Sequence, residues 1–348
     1  MKTIQVSNAN DLKNLYDRFP EFTKMLTNLN FEKLADANNF SFTNLLQSCE
    51  TFEPFEILVV EDNTVNLDEK YFENIDKKKP IIIQTDTIKF LASRIKIQDR
   101  EGIVYIQAKA ANAEIGISVV DIVYSTTDGQ NGKKEKDGEK GKDGKKGKDG
   151  DNPFIGPRTL AEKGENGEKG KDGKVGSHAM NALDLQNLTL EIENISFLKI
   201  NINVKPGNGG NGGDGSNGGA GGNGGAGGNG QANRFVDDIA PAEGGDGGKG
   251  GDAGNGGNGG NAGNWESNCY ITIKNKESKI TTSLDLGNGG SGGKSGNGGI
   301  GGNGGAGGQA GKAGKDNAKS GTAGASGNPG NDGSVGKKTK DGAIIILK

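Results

Sequence analysis

Histidine, tryptophan, cysteine and proline are all scarce in this chain of 348 residues, which has one His, one Trp, two Cys and eight Pro. Two cysteines, Cys49 and Cys269, cannot build a disulfide framework and read as small buried apolar residues. His178 stands alone, with no partnered nucleophile or ligand cluster in its neighbourhood, so the sequence offers no catalytic residue, no metal site and no cofactor site. No apolar run approaches the length needed to span a bilayer, which argues against membrane insertion. The opening MKTIQVSNANDL lacks the apolar core of a secretory signal, and the mature protein is expected to begin at or near Met1. A formal charge of -3 and 5% aromatics give no footprint for nucleic acid. These absences exclude the common enzyme classes and point to a non-enzymatic protein.

Glycine is what the chain has in excess: 65 residues, far above the usual ~7%. Residues 207–230 read GNGGNGGDGSNGGAGGNGGAGGNG, with two of three phases glycine and the third small or polar. One glycine phase is broken only by Ser216. A period of three fits the left-handed extended helix with three residues per turn, which has no internal hydrogen bonds and must pair its peptide groups with neighbours. Six such tracts can be read, at 129–150, 164–176, 207–230, 244–263, 287–314 and 321–336. The first has glycine at every third residue except Glu135, with Lys, Asp and Glu filling the rest. The third, fourth and fifth carry two glycine ridges and the others one, as expected if the former lie inside a bundle and the latter at its edge. At ~3.1 Å rise per residue these tracts would span on the order of 40 to 85 Å.

The remaining chain divides around the tracts. Residues 1–55 are expected to be mainly helical: Asn10 or Asp11 would cap a helix with Leu12, Leu15, Tyr16 and Phe19, ended by Pro20. Further helical patterns carry Phe22, Met25, Leu26 and Leu29, then Leu45 and Leu46. From 56 to 128, short alternating strands recur (Ile57/Val59, Val65/Leu67, Ile81/Ile83, Ile88/Phe90, Ile95/Ile97, Val104/Ile106 and Ile115/Ile117/Val119), consistent with a β-solenoid or a small sandwich. Strands at 183–204, 269–286 and 343–348 are expected to join this module. The expected fold is mixed: a small α-helical N-terminal part, a β module, and a bundle over 129–342 of six polyglycine-II helices arranged as three antiparallel hairpins. Its tip loops would be 151–163, 231–243 and 315–320.

Other readings of the glycine meet specific objections. A flexible linker does not explain the fixed phase or the strands bracketing each pair of tracts. A collagen triple helix needs abundant proline, and the first tract has none. Asp246 and Asp252 lack the apolar register position of calcium-binding nonapeptide repeats. GxGxxG arises by chance in any period-three glycine tract and carries no phosphate-binding implication without a strand–turn–helix context.

The doubled-glycine stretch, about 207–314, resembles polyglycine-II helical-bundle proteins, a group that includes the snow flea antifreeze protein and the T-even-like phage tail-fibre adhesins. The adhesin resemblance implies that loops at the bundle tip bind a surface. The corresponding residues are Phe154, Ile155, Arg158 and Leu160 in one loop, and Arg234, Phe235, Val236 and Ile239 in the next. The expected function is a stiff structural or adhesive spacer that self-associates into a fibre or surface appendage. The alternatives are a receptor-binding tip adhesin of a phage fibre and an ice-binding protein. The expected partners are further copies of the chain and a surface receptor or polysaccharide. The expected location is extracellular or on a cell or virion surface.

Overall fold

The computed structural model describes residues 1–23, 54–263, 269–273, 279–285, 288, 290–291, 293, 317–339 and 344–347. Its regular structure is β-sheet. A strand β1 (Lys2–Val6) and a helix α1 (Ala9–Arg18) precede β2 (Phe55–Leu67). Pairs of strands then follow: β3 (Ile81–Phe90) with β4 (Arg94–Gln98), β5 (Val104–Ala113) with β6 (Val119–Ser125), β7 (Leu188–Ile195) with β8 (Lys199–Lys205), and β9 (Cys269–Ile273) with β10 (Lys279–Leu284). The last strand is β11 (Ile344–Leu347). One sheet has seven strands in the order β1-β2-β3-β5-β7-β9-β11, and the other four in the order β10-β8-β6-β4. All pairings are parallel except β1 with β2. From β3 to β10 the chain thus winds as a coil, with each turn giving one strand to each sheet.

Alternation of apolar residues explains the winding. Ile83, Ile106, Leu190 and Ile271 stack in register on the inner face of the first sheet, and Ile95, Ile122 and Ile202 stack on the second. Between the sheets they form one buried core with Phe90, Tyr124 and Val204. Tyr71, Phe72 and Ile75 from the connection after β2 close its first end. A second cluster lies on the outer face of the larger sheet, where Leu12, Leu15, Phe19 and Phe22 cover Ile57, Val59, Ile82 and Tyr105.

The glycine tracts leave this coil between turns and return to it. Neighbouring tracts join through peptide groups. Gly138, Gly141 and Gly144 donate to the carbonyls of Asn217, Ala220 and Asn223 at 2.7–2.8 Å, running parallel. Glu162, Glu165, Glu168 and Lys171 donate back to Lys148, Lys145, Lys142 and Glu139 at 2.9 Å, running antiparallel. The glycine is required by contact. A Cβ on Gly222 would sit 1.9 Å from the carbonyl oxygen of Lys142.

These findings correct the expected fold class. The organising structure is a seven-stranded mixed sheet packed on a four-stranded parallel one, not a bundle of six helices. The reason is where the apolar side chains lie: among the described residues most of the buried ones are on strands and their flanks, so the core forms there and the extended tracts depend on it. Among its described residues the N-terminal part holds α1 and a further helical stretch at 20–23, and β1 adds a strand to the sheet. The cap is Asn8, not Asn10 or Asp11; its side chain accepts from the amides of those two residues at 2.9 and 3.1 Å. Val65 and Leu67 share one 13-residue strand with Ile57 and Val59. The patterns at Met25, Leu26, Leu29, Leu45 and Leu46, together with Cys49 and most of the fifth tract, lie outside the described residues. Cys269 is buried, and burial pushes its thiol up to about 12.

The polar ridge of the tracts is not simply left to solvent. Its Asn and Asp side chains accept amides from a parallel neighbour, eighty positions on between the first and third tracts: Asn217 N to Asp137 Oδ1 at 2.8 Å, Asn223 N to Asp143 Oδ1 at 2.7 Å, Asn229 N to Asp149 Oδ1 at 2.7 Å. His178 occupies one of these positions, its Nδ1 accepting from Asn258 N at 2.9 Å. The amides of Asn217, Thr322 and Asn328 hold Asp137, Asp246 and Asp252 below the usual carboxylate range. For Asp143, Asp149 and Asp172 the leading cause is the lysine three residues before, with the amide next. Carboxyl groups depressed on folding stabilise above their unfolded value of about 3.9, and that stabilisation is lost as pH falls through the lower folded values. Amide exchange at Asn217, Asn223, Asn229 and Thr322, corrected for intrinsic rate, is therefore expected to accelerate below about pH 4. Exchange in β3, β5 and β7 should hold. Uniform acceleration of both parts would contradict this role.

Candidate functional site

Two connectors between tracts form matching loops. Asp151 and Thr159 exchange backbone hydrogen bonds of 3.0 and 2.9 Å, closing the first, and Gln231 and Ile239 do the same at 3.1 and 2.8 Å in the second. Gly156, at φ 130°, makes a turn in the first loop that an L side chain would strain. In the second, Asn233 accepts from Phe235 N at 3.0 Å, a local side-chain turn.

The loops stack and are clamped together by five hydrogen bonds. Asn152 is buried and central. Its Nδ2 donates to the carbonyl of Asp237 at 3.0 Å, its own carbonyl accepts from Asn233 Nδ2 at 2.9 Å, and its amide donates to Gln231 Oε1. Arg158 spans the loops, donating through Nη2 to the carbonyls of Asp237 and Asp238 at 2.7 and 2.8 Å.

This clamp presents apolar side chains outward. Phe154 and Phe235 meet edge to face, with centroids 5.2 Å apart. They are 69% and 75% exposed, and Ile155, Leu160 and Val236 beside them on the loops are also exposed. Each loop contributes to the pair, so the surface exists only when the loops are stacked. Arg234 is exposed, whereas Arg158 is committed to the clamp. Ile239 departs from the expected role: it is 3% exposed and packs against Gly150, so it anchors the loop. Asn152, Asn233 and Gln231 are the residues that sequence reading missed. The signal was present in the equal spacing of the two loops, eighty residues apart. Of the third expected loop, 315–320, only residues 317–320 are described.

Among the described residues no group of three or more His, Cys, Asp or Glu could hold a metal ion. Comparison of the chain with protein-family models, with curated proteins and with solved structures finds no match.

Proposed function

We propose that the protein is a non-enzymatic adhesive protein, in which the β coil anchors a stiff glycine-rich arm and the stacked tip loops are the contact surface. The observation that carries this reading is the exposed Phe154–Phe235 pair, held by a buried asparagine clamp at the end of the molecule away from its core. Large apolar side chains kept exposed and rigid mark interaction surfaces, because ordering them in advance lowers the cost of binding. Aromatic anchors of this type carry most of the energy in many interfaces.

The test uses labelled full-length protein presented to intact cells and to immobilised polysaccharides, with a Phe154→Ser/Phe235→Ser variant alongside. Wild type is expected to bind at least one of these surfaces, and the variant to bind it at least ~10-fold more weakly, a loss of about 1.4 kcal/mol, with unchanged thermal unfolding. Equal binding by the two proteins, or no binding by wild type, would refute the reading. Sedimentation of wild type at high concentration reports whether the same surface joins copies of the chain; the self-associating version requires oligomers that the variant lacks.

A further inference from the structure

The outer face of the seven-stranded sheet carries a polar ladder far from the tip loops. Glu61, Gln84, Gln107, Glu191 and Thr272 are in register on adjacent strands β2, β3, β5, β7 and β9. They border a cavity of about 530 Å³, walled also by Asp62, Asp86, Lys109 and Glu193. Gln84, Gln107 and Glu191 are half-buried and bonded in one direction. Gln84 Nε2 donates to Gln107 Oε1 at 2.9 Å, and Gln107 Nε2 donates to Glu191 Oε2 at 3.0 Å. Tyr105, locked edge-on against Phe22, donates its hydroxyl to the same oxygen at 2.9 Å. The rotamers of the ladder are therefore fixed before any ligand arrives.

What the ladder leaves over is a pattern. Each glutamine keeps one N–H, Gln84 keeps its Oε1, and Glu191 keeps its Oε1, none of them hydrogen-bonded among the described residues. Over three rungs about 4.8 Å apart, the distance between paired strands, Gln84 thus offers a donor and an acceptor, Gln107 a donor and Glu191 an acceptor. A ligand that meets all three must both donate and accept along its length, as a row of hydroxyl groups does. The wall charges narrow the choice. Five carboxylates wall the cavity against three cations, Lys109 bonded to Asp86 at 2.6 Å and Lys2 and Arg18 both bonded to Glu61, so the excess charge is negative. An acidic ligand would be repelled. A peptide strand would require a sheet edge for its backbone, which this face does not offer.

We propose that this groove binds a neutral linear oligosaccharide, running across the strands along the axis of the coil. The site is independent of the tip loops. Calorimetric titration of the full chain with cellohexaose and maltohexaose, and with a hexuronate oligomer as the acidic probe, tests it. At least one neutral probe is expected to bind, the acidic one at least tenfold more weakly. Gln84→Leu/Gln107→Leu should reduce neutral binding at least tenfold, and the tip variant Phe154→Ser/Phe235→Ser should leave it unchanged. Gln84→Met, which alters only the outer end of the glutamine chain, gives a second reading should the double variant unfold early; it should weaken binding with native melting. No neutral binding, equal binding of the acidic probe, indifference to both ladder variants, or loss through the tip variant would each overturn the proposal.

Discussion

Gly219→Ala is expected to unfasten the glycine arm over several tracts at once, at a cost at or above the top of the ~1–3 kcal/mol range for overpacked interiors. A Cβ at this position would lie 2.0 Å from the carbonyl oxygen of Glu139 and 2.6 Å from its carbon. Both are backbone atoms, so no side chain can swing aside. Gly219 also donates to Lys171 and accepts from Gly251, each at 2.8 Å, which ties it to two further tracts. Moving it to relieve one contact breaks the other two. Ala220, next in the chain, already carries a Cβ, and Ala220→Ser should stay within about 0.5 kcal/mol of wild type. Calorimetry gives the loss, and hydrogen exchange locates it around residues 139–142, 168–171 and 248–251. If both variants melt alike, Gly219 does not sit between touching backbones.

The second large effect is at Arg100. Its side chain is fully buried, yet its guanidinium has no carboxylate partner: Nη1 donates to the carbonyls of Asp76 and Ile75 at 2.9 and 3.4 Å, and Nη2 to that of Lys79 at 2.5 Å. Burial lowers its pKa. These bonds hold the connection that carries Phe72 and Ile75 over the end of the core. Arg100→Ala strands several carbonyls and leaves a void, and about 3 kcal/mol of destabilisation is expected, since bonds to a charged group contribute ~1.5–3 kcal/mol. Arg100→Lys should recover only part of it, because an ammonium cannot reproduce the planar fork. A loss below about 1 kcal/mol for Arg100→Ala, read from chemical denaturation, would mean the carbonyls find other partners.

The period of three in the glycine is also the period of the lateral hydrogen bonds, so that much was legible without coordinates. Reading the tracts as the organising helices was wrong because periodicity shows what can approach, while the core follows apolar side chains. Polar residues misled the strand assignment in the same way. Glu61, Asp62 and Asn63 look like a turn, yet they continue β2 and line the groove. Where the first tract has Asp137, Asp143 and Asp149, the third has Asn217, Asn223 and Asn229; opposite Lys140 and Lys146 it has Ala220 and Ala226. At the interruption of the third tract, the buried Ser216 hydroxyl takes the amide of Lys174 at 2.7 Å. For the tips, exposed aromatics were legible from their odd placement in turns; the clamp was not, since its partners lie 79 to 85 residues apart.

Because the coil emits a hairpin after β6 and another after β8, and the second bonds to the first at an offset of eighty, the molecule has a unit of growth. Duplicating residues 206–285, whose tracts carry two glycine ridges, would add a layer to the coil and a further loop to the tip. The number of displayed loops is thereby set by gene length alone, and a lineage can alter its contact surface by copying, without redesigning what supports it.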